Sequence, residues 1–365
     1  MSPPDSADPA AAASPSQPEP SAATRRKRWI SIAVSLALLA LIYRKIDLRA
    51  VTGVLARSHL GWMIAGQLAL VMIKAVQGWR LRRLMPAGTK LGVAESVRLI
   101  LVADVMNMVL PSKMGDIAKS FFLRSRGHLP GSLALSLTVF EKAYDVLALF
   151  LWCAIGLLFL PSKGALLWLA AAGISVATVV GFLTLNSEVF ARFVFGIALR
   201  IAPGKLRGKL EKLRDAWEET RATFRREPGR HALVVAISIG LWLLHFFQLW
   251  IFILALRAFV PFLDHIGLAA LAILAGLAPF TFAGLGTRDA ALVALYAPYL
   301  DAQTAAALGL LFTSRYLLPA LAGLPFFRRY LEEMRSTPAV SAVEPGPALT
   351  PGPSPLGRGE TGPQR

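Results

Sequence analysis

Long apolar runs alternate with short polar and basic stretches from Trp29 to Phe327, and runs of that length predict helices rather than strands. About 20 apolar residues cross a hydrocarbon core of about 30 Å. Six spans are expected: a short one at Trp29–Tyr43, then Leu60–Trp79, Gly131–Leu160, Ala165–Leu185, His231–Leu256 and Gln303–Phe327. The first follows Arg25–Arg28 and ends at Tyr43-Arg44-Lys45 with no small-residue cleavage site, so it reads as an anchor and not as a leader. Gly131–Leu160 would reach ~45 Å if wholly helical, enough to tilt.

Two further apolar stretches are interrupted. Val93 to Arg126 breaks at Pro111–Gly115, after Asn107, and Ile266 to Pro298 breaks at Pro279–Gly286, which contains Gly284. Non-helical backbone at membrane depth is tolerated only where protein or a wet cavity covers it, so each stretch reads as a re-entrant, broken-helix hairpin. Basic clusters at Arg80, Arg82, Arg83 and Lys90, and again at Arg328, Arg329 and Arg335, mark the inner side and place both termini in the cytoplasm. The first hairpin then enters from inside and the second from outside. Each half reads span, span, hairpin, span, the order of an inverted-topology repeat whose site lies where the broken helices meet. The fold class is all-α, a polytopic helical membrane protein with eight helical passes if the hairpins are counted.

Composition agrees with that pattern: 55% hydrophobic residues over 365 positions and a mean hydropathy of +0.55 exclude a water-soluble domain. The formal charge of +17, from 39 basic and 22 acidic side chains, raises nucleic acid as a partner. The bases cluster between apolar runs instead of along one soluble face, so they read as topology signals and contacts to anionic headgroups in a plasma or inner membrane. Residues 1–24 and 336–365 are low-complexity tails flanking a membrane domain at 25–335, and residues 186–230 alternate bases with acids as a cytoplasmic amphipathic helix on the headgroups. Cys153 stands alone in an apolar run, which allows no internal disulfide.

Candidate chemistry concentrates between Asn107 and Asp145. A charge near the bilayer centre costs ~2.5–3.5 kcal/mol on insertion scales, so Glu141, Lys142 and Asp145 must face partners or water. Glu141 and Asp145 share a helix face. Asp116 follows Gly115 at a helix start, where exposed amides favour a carboxylate without further purpose, or it holds the loop against Lys113, Lys119 or a ligand; Lys113 and Lys119 either snorkel to headgroups or hold a lipid phosphate. Gly284 and Gly286 let backbone approach a ligand, or simply pack, and Asp289 repeats the placement of Asp116. Arg315 lies ~18 Å from either end of its span and needs an anion: Glu141 or Asp145 on one reading, Asp289 or a lipid on the other. Lys74 reads as an interfacial snorkeller, and His245 with Gln248 as an interhelical hydrogen-bonding face. The five histidines lack metal-ligand spacing. No phosphate-binding Gly-rich loop, nucleophile elbow or dinucleotide fingerprint is readable, so no metal or cofactor is expected, and the balance favours a transporter over an enzyme.

Taken in order, Asn107, Pro111-x-x-x-Gly115-Asp116-x-x-Lys119, Glu141-Lys142-x-x-Asp145, Pro279, Gly284-x-Gly286-x-x-Asp289 and Arg315 make the chain resemble the transmembrane region of lysylphosphatidylglycerol synthase, a flippase-like membrane family, over roughly Arg28 to Phe327. Where that family is expected to carry Gly-Glu-x-x-Arg, Glu-Arg and Gly-Gly-x-Gly-x-x-Glu, this chain has Gly115-Asp116 with Lys119, Glu141-Lys142, and Ala283-Gly284 with Asp289. Charge signs survive, but lysine lacks arginine's bidentate fork. The resemblance implies a domain that binds an amphipathic lipid and moves its headgroup between leaflets, without the soluble aminoacyl-transferring domain. The expected partner is an anionic phospholipid or a lipid-linked sugar, with a partner enzyme of the same pathway possible. Without a nucleotide motif, the drive would be a lipid gradient or ion coupling. Two other readings stay open: a membrane enzyme on a polyprenyl- or glycerolipid-linked substrate with Asp116 or Glu141 as base, and a scaffold for a partner enzyme.

Overall fold

A computed structural model describes residues 33–37, 40, 44, 47–86, 88–109, 115–125, 128–129, 131–159, 164–277 and 284–336. The helices in chain order are α1 (Leu48–Ala56), α2 (Leu60–Leu84), α3 (Val93–Val109), α4 (Gly115–Ser125), α5 (Gly131–Phe159), α6 (Ala165–Asn186), α7 (Glu188–Ile201), α8 (Gly204–Arg226), α9 (Pro228–Ala255), α10 (Phe262–Gly276), α11 (Thr287–Leu295) and α12 (Ala302–Ser336). Five of these, α2, α5, α6, α9 and α12, contain stretches long and apolar enough to cross a membrane. They match five of the six expected spans within a few residues. Most of the expected first span, both tails, and the breaks around Pro111, Lys113 and Pro279 lie outside the described residues.

Residues 186–230 form two helices where the charge pattern predicts one. Ser187 accepts a hydrogen bond from the Phe190 amide (3.3 Å) and so starts α7. Pro203 stands between Ile201 and Gly204; with no N–H, and with Ala202 driven to extended backbone, it separates α7 from α8. Trp217 of α8 is buried against Phe195 of α7, and Arg225 closes the pair by hydrogen-bonding Glu188. That bond, with the nearby charge, holds Glu188 below the usual carboxylate range. The clasp is therefore intact above that range and is lost as pH falls through the depressed value.

Two large apolar clusters divide the bundle. One takes Leu149–Leu157 of α5, Phe246–Leu256 of α9, much of α10 and Ala305–Phe312 of α12. The other takes Ala134–Tyr144 of α5, the basic end of α2, α3, α4 and Tyr330 of α12. Polar side chains that no apolar cluster can take collect between them. The helices approach closely where glycine permits it: a Cβ on Gly156 of α5 would lie 2.3 Å from the Gly267 nitrogen of α10, and one on Gly267 would lie 2.8 Å from the Gly156 carbonyl carbon. Backbone cannot yield as a side chain can. Gly156→Ala should therefore lower the unfolding free energy by about 1–3 kcal/mol, read as a fall in thermal midpoint in detergent; an unchanged midpoint would mean that the crossing relaxes freely.

Candidate functional site

Between the two clusters lies a cavity of about 470 Å³, walled by α2, α3, α4, α5, α9, α10 and α12. Lys74, Gln77 and Arg80 reach it from one face of α2, Asp104 and Asn107 from α3, and Asp116 from the first turn of α4. Glu141, Lys142 and Asp145 enter from α5, Trp242 and His245 from α9, and Phe312, Arg315 and Tyr316 from α12. Two of these groups, Asn107 and Asp116, lie where α3 touches α4. Asn107 accepts a hydrogen bond from the Gly115 amide (2.9 Å), and a Cβ on Gly115 would lie 2.3 Å from the Ala103 carbonyl oxygen. Only glycine lets α4 start that close to α3, and the contact fixes Asp116 at the cavity edge.

The second hairpin uses the same device. Gly284 has φ +76° and Gly286 φ +90°, backbone that side chains rarely adopt. A Cβ on Gly284 would also meet the Gly276 carbonyl oxygen of α10 at 2.5 Å. Asp289 accepts from the Gly286 amide at 3.0 Å and pairs with Arg288 at 2.7 Å. It thus faces Arg288 and α11's own start, away from the cavity lining.

The ion pairs form a connected chain. Arg80 donates from Nη2 to Glu141 at 2.9 Å, to Asp145 with both terminal nitrogens, and from Nη1 to the Ser238 hydroxyl at 3.0 Å. Glu141 also accepts from Lys119. Lys142 meets Asp116 at 2.9 Å and Asp145 at 3.5 Å. Lys74 and Asp104 form a separate pair at 2.8 Å on the same cavity. The Glu141 and Lys119 side chains are 3% and 1% exposed, whereas the Lys142 side chain is 45% exposed because it stands in the open cavity. The buried pairs hold helices together, while the Asp116–Lys142 pair is accessible for exchange.

Arg315 is different. It donates to His245 Nδ1, which assigns the ring's proton to Nε2, and its guanidinium carbon lies 4.7 Å from the Phe312 ring centre. Its Nε and Nη1 have no hydrogen-bond partner, although the residue is only 8% exposed. Among the described residues no carboxylate lies within ion-pair distance of it: Glu141 and Asp145 are held by Arg80, Lys119 and Lys142, and Asp289 by Arg288. Arg288 packs on the same Phe312 ring at 4.3 Å. The expected pairing of Arg315 with a carboxylate is therefore not what the geometry shows.

The structure brings Asp116, Lys119, Glu141, Lys142 and Asp145 into one network and leaves Asp289 outside it. Arg80, read in the sequence as an interfacial charge, is a central member, and Lys74, read likewise, forms a separate pair with Asp104 in the same cavity; Asp104 and Arg288 were not among the candidate site residues. The available signal was the spacing of Lys74, Gln77 and Arg80 at three-residue intervals, which puts them on one side of α2. Gln248 does make the expected interhelical bond, donating to the Gly66 carbonyl at 2.9 Å. His245 makes one as well, accepting from Arg315 of α12.

The model of a family described as the lysylphosphatidylglycerol synthase TM region matches residues 28–323, and so covers both hairpins and every charged group named above that lines the cavity. No curated protein matches the chain.

Proposed function

The chain belongs to the lysylphosphatidylglycerol synthase TM region family, integral membrane proteins linked to lipid metabolism, and from that premise we propose that it binds an anionic lipid headgroup in the cavity and carries it between leaflets. Arg315 carries the reading: it is a buried cation on the cavity wall whose Nε and Nη1 have no acceptor, with every nearby carboxylate already committed. An isolated buried charge is costly, and an incoming phosphodiester supplies the missing acceptor.

The Asp116–Lys142 pair suits the next step, because the exposed Lys142 can turn from Asp116 to a passing phosphodiester. The buried Arg80–Glu141–Lys119 chain keeps α2, α4 and α5 in place while it does. We read the close glycine contacts at Gly115 and Gly284 as matching turns of two oppositely inserted hairpins of one inverted repeat, and the basic clusters as setting the termini on the cytoplasmic side of the plasma or inner membrane. The base that a lipid-modifying enzyme would require is poorly served, since Glu141 accepts from Arg80 and Lys119 with its two oxygens and Asp116 is paired with Lys142.

The test is a leaflet-resolved assay in liposomes carrying the purified protein and headgroup-labelled phosphatidylglycerol. Label should move between leaflets with no change in lipid mass. A new lipid species would establish the enzyme instead, and label that stays in its leaflet would end the transport reading.

A further inference from the structure

A second cavity, of about 480 Å³, lies on the α2–α9 seam and is lined by apolar side chains, Trp79 and Val76 from α2 with Ile237, Leu244 and Phe247 from α9, beside Gly240. Leu241 belongs to its wall and also to the wall of the charged cavity, and that residue is only 3% exposed. One leucine side chain therefore lies between an apolar groove and an ionic site. Phe247 is 44% exposed, so the groove opens outward at membrane depth. Its basic end is marked by Arg83, whose guanidinium lies 5.7 Å from the Trp79 ring centre.

Resting on the headgroup reading above, we propose that this groove seats one hydrocarbon chain of the lipid whose headgroup occupies the charged cavity. From Ile237 to Phe247, α9 rises about 15 Å, half of a hydrocarbon core of about 30 Å, which is the depth of one leaflet. The length fits a single chain reaching inward from the Arg83 end. A partner helix or second copy is a poorer occupant, because the groove shares a wall with the site where the same lipid's charge is neutralised. Lipid chains elsewhere on the bundle exchange with bulk; this one is held by its own headgroup.

Gly240 makes the proposal testable, since a Cβ there meets nothing within 4 Å. Gly240→Trp places a large ring at the groove and Gly240→Leu a smaller branched chain, and an unchanged thermal midpoint in each confirms that the fold is kept. Binding of palmitoyl (long-chain) and hexanoyl (short-chain) phosphatidylglycerol to the full chain in detergent is compared with Arg315→Gln. Palmitoyl affinity should fall about tenfold or more in Gly240→Trp, less in Gly240→Leu, and hexanoyl affinity should hold, because each buried methylene contributes to binding. Arg315→Gln should weaken both lipids alike. Palmitoyl binding unchanged in Gly240→Trp, with both lipids weakened in Arg315→Gln, overturns the groove and leaves the headgroup site standing. Indifference of both lipids to Arg315→Gln overturns the headgroup site, and with it the assignment of groove and cavity to one ligand.

Discussion

Glu141→Gln should lower the free energy of unfolding by about 3–5 kcal/mol, the loss expected when one partner of a buried ion pair is removed. The two cations that Glu141 serves are affected unequally. Arg80 keeps Asp145 and the Ser238 hydroxyl. Lys119 keeps no carboxylate within ion-pair distance among the described residues and is 1% exposed. Nearly all the loss should therefore come from the stranded ammonium, and that claim has its own control. Adding Lys119→Met to Glu141→Gln should recover most of the stability, because an apolar group of similar length costs nothing to desolvate. Thermal unfolding of the single and double variants in the same detergent decides it. Additive losses, with the double variant weaker than either single one, would place the damage elsewhere.

That asymmetry also explains how much of the site was readable from the sequence. The spans at α2, α5, α6, α9 and α12 were legible because length and apolarity are properties of one segment alone. The interruptions were legible because Pro and Gly break segments otherwise long enough to continue: α3 ends at Val109 before α4 starts at Gly115, and α10 ends at Gly276 before α11 starts at Thr287. Pairing is a property of packing between segments, so it was not. Arg80 stands in a basic cluster with Arg82 and Arg83 that topology alone accounts for, yet it alone turns inward to Glu141 and Asp145. Arg288 and Asp289 are neighbours in sequence, a spacing at which helical side chains do not normally meet; here the long arginine folds back at the first turn of α11.

The charges that line the cavity nearly cancel. Lys74, Arg80, Lys142 and Arg315 stand against Asp104, Asp116, Glu141 and Asp145, and Lys119 adds one positive charge just behind Glu141. The whole set is then one cation in excess, and the ion pairs place that excess on Arg315. A cavity so arranged holds its shape through paired charges and keeps one charge for a ligand. Arg288 contributes by position: stacked on Phe312, it helps fix the ring against which Arg315 also lies.

From that arrangement follow opposite effects of one substitution on stability and on function. Arg315→Met should raise the unfolding free energy by about 1–3 kcal/mol, since it removes a buried charge that lacks a counterion and leaves no carboxylate unpaired. Headgroup transport in liposomes should fall by about tenfold or more, because hydrogen bonds to a charged group contribute about 1.5–3 kcal/mol. Arg315→Lys should fall between, keeping the charge without the planar fork. A structural arginine would behave otherwise. If Arg315→Met lost stability together with transport, the two unsatisfied nitrogens would be incidental and the cavity would need another anchor for the anion. If it gained stability and lost transport, the cost of holding this charge in the membrane without a partner is retained for the sake of the ligand.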